Sequence, residues 1–232
     1  MSKLKKPIIL LHGAIGSSAQ LNDLASKLLT EFDVHTLNFE GHGGRTIDGK
    51  YSIEKFSENV NDFLNENGIE SIDIFGYSMG GYVALKLAAL HPEKVTSIAT
   101  LGTKFNWNPE SAATEVKMLN PEVIEVKIPK FAEDLKVVHS PLDWKEVLKG
   151  TAEMMLDLGN GAGLADDELR SIVIPVLIGI GDLDQMVSIE ESKRVADLLP
   201  NASLKIYEGF PHPIDKVDLK VLSLTIETFL VE

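Results

Sequence analysis

Gly76-Tyr77-Ser78-Met79-Gly80 sets a serine between two glycines. A serine hydroxyl is a weak nucleophile alone; it needs a base within hydrogen-bond reach and a third group that orients the base. Six histidines, at positions 12, 35, 42, 91, 139 and 212, compete for the first of these roles. Asp182 and Asp184, in Gly181-Asp182-Leu183-Asp184-Gln185-Met186-Val187, stand out for the second. The chain has no cysteine, so a thiol nucleophile, a disulfide framework and a cysteine-based metal site are all excluded.

The elements around these residues decide how they can meet. Residues 72–75 form a short apolar run that reads as a buried strand, and the stretch after Gly81 has helical spacing through Val83, Leu87 and Leu90. A Gly-x-Ser-x-Gly between strand and helix is a sharp turn that exposes the hydroxyl. It also leaves the first N–H groups of the helix, that of Met79 foremost, pointing at any oxyanion formed above Ser78. His35 falls inside a strand, His91 at a helix end, His139 in a long insertion, and His12 and His42 in turns. His212, in Phe210-Pro211-His212-Pro213, follows the last strand and so lies at the same carboxyl edge of the sheet as Ser78 and Asp184.

On these residues the chain resembles the α/β-hydrolase superfamily, in its serine-nucleophile, esterase-like branch. Leu11-His12-Gly13-Ala14 after the first strand, and the order serine, acid, histidine, agree with that family. The resemblance implies that Ala14 supplies the second oxyanion N–H beside that of Met79. It also selects Asp184 over Asp182, because the family's acid lies three residues after a glycine, here Gly181, with an apolar residue, Val187, three further on. The loop 38–45 matches the family's Gly-His-Gly turn, which makes His42 a loop-ordering residue. The strand hairpin usual in the family before the first motif is expected to be missing or vestigial here.

The remaining elements support the same architecture. Apolar runs at 8–11, 34–37, 72–75, 95–101, 174–180 and 204–207 alternate with helical stretches at 18–32, 52–67, 189–199 and 215–231. That alternation predicts an α/β fold with a mostly parallel sheet of about six strands covered by helices on both faces. From 103 to 171 the pattern breaks, and a segment this long is not a bare loop. The expected organisation is a hydrolase core over 1–102 and 172–232, with an inserted helical cap over 103–171. Within the cap, Asn108-Pro109, Asn120-Pro121 and Ser140-Pro141 each read as a capping side chain followed by proline at a helix start. Phe105, Trp107, Met118, Trp144, Met154 and Met155 are the candidates to line an acyl pocket above Ser78, in competition with plain packing of cap against body.

The formal net charge of −13 over 232 residues disfavours nucleic acid and anionic membrane as partners. The apolar run near the N-terminus is too short for a signal-peptide core, so a cytoplasmic location is expected. The resemblance implies hydrolysis of a small-molecule carboxylic ester of small to medium acyl chain, with no metal or organic cofactor. A thioesterase, a carbon–carbon bond hydrolase or a ligand-sensing protein could keep the same three residues. A homodimer paired through the cap is left open.

Overall fold

The computed structural model describes residues 5–231. Six strands, β1 (Lys6–Leu11), β2 (Phe32–Thr36), β3 (Ile72–Tyr77), β4 (Val95–Leu101), β5 (Val176–Gly181) and β6 (Ala202–Tyr207), form one sheet in the order β2-β1-β3-β4-β5-β6. Every neighbouring pair is parallel. Among the described residues, the sheet begins at β1.

Parallel strands need crossovers, and the crossovers here are helices that cover both faces. The inner strands are accordingly buried: all six residues of β3 and all six of β5 lie inside, Asp73 of β3 paired there with Lys6 at 2.7 Å. Successive side chains of β1 point to opposite faces. Ile9 and Leu11 join a core built with Phe56, Val60 and Leu64 of α2 (Ile53–Glu66) and Val83 and Leu87 of α3 (Met79–Leu90). Ile8 and Leu10 join a second core with Leu24 and Leu28 of α1 (Asn22–Leu28) and with Leu222 and Ile226 of a C-terminal helix over 219–231. Over 202–205 the edge strand β6 alternates between half-buried and exposed residues, and it ends on exposed Ile206 and buried Tyr207.

Between β4 and β5 the chain forms α4 (Pro109–Lys117), α5 (Pro121–Lys127), α6 (Pro129–His139), α7 (Trp144–Asp157) and α8 (Asp166–Ser171). After β5 come α9 (Ile189–Leu198) and α10 (Leu219–Val231). Asn108 caps α4 by accepting from the N–H groups of Glu110 and Ser111, and Asn120 caps α5 by accepting from Val123 N–H. The third expected cap falls elsewhere. Leu142 N–H donates to His139 O, so Pro141 lies inside a turn rather than at a helix start, and Asp143 caps α7 through Lys145 N–H. Ser52 caps α2 as its sequence context predicts. Among the described residues, no helix is long and apolar enough to cross a membrane.

Candidate active site

The four loops that leave β1, β3, β5 and β6 at their carboxyl ends converge, which is where open parallel sheets bind ligands. Ser78 joins β3 to α3 with φ +51°, a conformation that few non-glycine residues adopt. The turn is over-determined by its neighbours. Ser78 N–H donates to Leu101 O at 2.8 Å, and Thr103 Oγ1 donates to Ser78 O at 3.0 Å. A side chain on Gly80 would overlap the Leu11 carbonyl, and one on Gly76 the Gly81 backbone, which is why glycine flanks the serine on both sides.

The hydroxyl of Ser78 lies 3.2 Å from His212 Nε2, and His212 Nδ1 lies 2.7 Å from Asp184 Oδ2. Asp184 is an acceptor toward His212, so Nδ1 carries the proton and Nε2 is left to accept from Ser78. The other Asp184 oxygen accepts from the N–H groups of Met186 and Val187 at 2.8 and 2.9 Å. Burial pushes the Asp184 carboxyl up, but the His212 hydrogen bond and charge, with the two amides, outweigh it and hold the group below its usual range. Asp182 serves the loop instead: its Oδ1 accepts from Gly209 N–H at 2.6 Å and ties down the turn after β6. Tyr77 fixes the histidine loop by donating from its hydroxyl to His212 O at 3.1 Å.

Ala14 and Met79 flank Ser78 on the wall of one cavity of about 50 Å³. Met79 is the first residue of α3, where N–H groups have no partner inside the helix. Ile53, Tyr82, Trp107, Met154, Met155 and Leu158 supply an apolar lining. Of the six cap candidates, Trp107, Met154 and Met155 line this cavity.

The other three candidates do not reach this cavity. Phe105 packs its ring on Tyr82, with centroids 6.0 Å apart, behind the lining. Met118 follows the last turn of α4 and is 53% exposed; the buried side of that helix is set by Ala112 and Glu115, before Met118 is reached. Trp144 is 4% exposed but belongs to a separate cluster with Ile124, Ala132, Leu135 and Leu148. It opens α7 whereas Met154 and Met155 close it, so about 15 Å of helix lies between them.

Lys104 and Glu115 line the cavity too, and nothing in the sequence singles them out. Their side chains meet at 3.2 Å and are only 18% and 9% exposed. Lys104 also donates to Met186 O at 3.2 Å and sits over the Trp107 ring. A pair eleven positions apart, across a loop and a helix, carries no motif that could reveal it.

Beneath the Ala14 loop, His12, His42 and His139 form a buried row, with ring centroids 5.3 Å apart for the first two and 5.9 Å for the last two. Burial pushes His12 down to about 4, although its bond to Gly13 O works the other way, and a charge on His139 would lower it further. Burial, with the neighbouring His12, also drives His42 down, and burial lowers His139 against the pull of its bond to Ile15 O. The native fold therefore keeps these rings neutral at pH values where the unfolded chain protonates them. The stability this supplies is complete above about pH 6.5 and is lost as pH falls toward 4, with His12 alone accounting for about 3 kcal/mol. Urea unfolding midpoints are expected to drop steadily from pH 7 to pH 4.5, and less steeply in His12→Asn; a flat profile would count against this account.

Comparison with known proteins places this geometry in context. The family model for the alpha/beta hydrolase fold matches residues 6–121. A 2-hydroxymuconate semialdehyde hydrolase of Pseudomonas putida is 28% identical over 207 residues, spanning 83% of this chain and 74% of that one. A non-heme chloroperoxidase of Kitasatospora aureofaciens is 24% identical over 239 residues, spanning 91% and 86% respectively. Among solved structures, the 2-hydroxy-6-oxo-6-phenylhexa-2,4-dienoate hydrolase from Rhodococcus sp. strain RHA1 superposes with a TM-score of 0.82 over 98% of this chain and 91% of its own, at 19% identity. That likeness is one of fold.

Proposed function

The chain belongs to the α/β-hydrolase fold family, and from that premise we propose a serine hydrolase that cleaves carboxylic esters of short acyl chain through an acyl-enzyme. The observation that carries this reading is the continuous hydrogen-bonded line Ser78–His212–Asp184, set at the start of α3 and opening onto a small apolar cavity.

In the proposed reaction Ser78 Oγ attacks the ester carbonyl while His212 Nε2 takes its proton. Asp184 stabilises the imidazolium through Nδ1–H and does not itself take up the proton. The carbonyl oxygen becomes negative and is met by the N–H groups of Met79 and Ala14. Collapse of the tetrahedral species expels the alcohol, which leaves with the proton from His212. Water then attacks the acyl-enzyme by the same steps and frees the acid and Ser78. The segment 103–171 serves as the cap: Trp107, Met154, Met155 and Leu158 form the apolar roof against which the acyl group lies.

Cavity size favours short acyl groups. With about 10–15 Å³ needed per water, a space of about 50 Å³ holds roughly three to five water-sized groups, so acyl chains of about two to four carbons are the fit. The deciding experiment is hydrolysis of p-nitrophenyl esters from acetate to decanoate. Highest kcat/KM at acetate to butyrate, with a fall of about 10-fold or more by octanoate, is the expected outcome. Best activity at decanoate would refute the short-chain assignment, and no turnover of any ester would refute ester hydrolysis altogether.

A further inference from the structure

The segment between β4 and β5 also reaches the loop that carries Ala14. His139, the last residue of α6, is fully buried. Its Nε2–H donates to Ile15 O at 3.0 Å, and its Nδ1 accepts from Gly43 N–H at 3.2 Å. Those two partners fix the tautomer, since a carbonyl can only accept and an amide N–H can only donate.

Ile15 is the unusual partner. Its φ of +52° lies in the left-handed region, which a β-branched residue strongly avoids, so the surroundings must hold it there. One hold is local, the turn closed by Gly16 N–H donating to Gly13 O at 3.2 Å. Two more come from the inserted helices: the His139 hydrogen bond, and packing of Ile15 against the cluster of Ile124, Ala132, Leu135, Trp144 and Leu148. On the other side of Ala14, Gly13 N–H donates to Gln20 Oε1 at 3.2 Å, and His12 Nδ1–H donates to Gly13 O at 2.8 Å. Ala14 is thus pinned by its own loop and, through Ile15, by the inserted helices.

We infer that His139 is a positioning residue for the oxyanion hole: by holding Ile15 in its left-handed conformation it keeps the Ala14 N–H aimed at the developing negative oxygen. The inference rests on the acyl-transfer reading above. Displacing a reacting or stabilising group by about 1 Å costs up to about 10²-fold in rate, so a loosened Ala14 amide is visible in kcat.

Two substitutions separate positioning from plain support. His139→Gln keeps an N–H donor at about the reach of Nε2 but gives up the acceptor for Gly43. His139→Asn keeps an acceptor near Nδ1 and gives up the donor to Ile15. Both are expected to lower the melting temperature. His139→Asn is expected to lower kcat by about 10- to 100-fold with KM within about threefold, whereas His139→Gln returns kcat to within about threefold of the native value. Equal kcat in native protein and His139→Asn, or equal losses in the two variants, overturns the inference.

A second readout does not depend on the ester reading. A fluorophosphonate phosphonylates Ser78 when Oγ attacks phosphorus: the P–O bond forms, P–F breaks, fluoride leaves, and His212 takes the hydroxyl proton. The phosphoryl oxygen then occupies the oxyanion position. Labelling rates are expected to follow the same order as kcat. Should the native protein label but hydrolyse no ester, the ester reading fails while His139 is still judged by these rates; equal rates in native protein and His139→Asn overturn its role. If His139→Asn does not fold, labelling of His139→Gln more than about threefold slower than native overturns it. No labelling of the native protein overturns both readings.

Discussion

Ser78→Ala is expected to lower kcat/KM for the best ester by about 10⁵-fold, leaving only the modest acceleration that binding and the oxyanion amides give. The structure makes this a clean test of chemistry. Among the described residues the Ser78 hydroxyl hydrogen-bonds only to His212 Nε2, while the backbone bonds to Leu101 and Thr103 that hold the turn survive the change. Alanine meets the same left-handed φ as serine, so stability should move by less than about 1 kcal/mol. Single-turnover kinetics and thermal unfolding on the same preparation check both halves. Activity within about tenfold of native would mean that another group performs the attack.

Asp184→Asn is expected to reduce kcat by about 10⁴-fold, through the tautomer of His212 rather than through loss of the fold. Oδ1 accepts from the Met186 and Val187 amides, so an amide side chain must keep its oxygen there. The amide nitrogen is then forced toward His212 Nδ1, which must become the acceptor, and the ring proton moves to Nε2. That nitrogen can no longer take the Ser78 proton. The pH–rate profile offers the check: the loss should be largest near neutral pH and shrink as pH rises and hydroxide substitutes for the missing base. A loss below about tenfold at pH 7 would show that Asp184 does not govern the tautomer.

Much of this arrangement is readable in the sequence, and the reason is topological. Ser78, Asp184 and His212 lie one, three and five residues past the ends of β3, β5 and β6, and in a parallel sheet those ends share one edge. Strand runs such as residues 72–75 are legible because both faces are buried. The inserted helices are a different case. Periodicity shows that Trp144 and Met154 lie on a buried face of α7, but not that one end faces other inserted helices and the other end faces Ser78. It likewise offers Met118 as a pocket residue, though the helix ends before that side chain can reach the cavity. The Lys104–Glu115 pair and the His139–Ile15 bond escape it for a related reason. Each joins segments whose separation in sequence follows no structural period, and only the packed fold brings them together. The sequence points to Ser140 as the N-cap of α7, wrongly, because proline is as much at home inside a turn as at a helix start.

The crossover from β4 to β5 has a consequence for how this chain becomes active. Closing that pair joins segments separated by roughly seventy residues, a longer loop than any other neighbouring pair must close, and long-range parallel pairings form slowly. Ala14, Ser78 and Met79 all precede it, and Asp184 and His212 both follow it. On the proposed mechanism, a nascent or partly refolded chain therefore carries Ser78 without His212 and Asp184 beside it. On that mechanism, Ser78 gains its base only once the longest crossing has closed, so activation of its hydroxyl waits on the slowest pairing of the sheet.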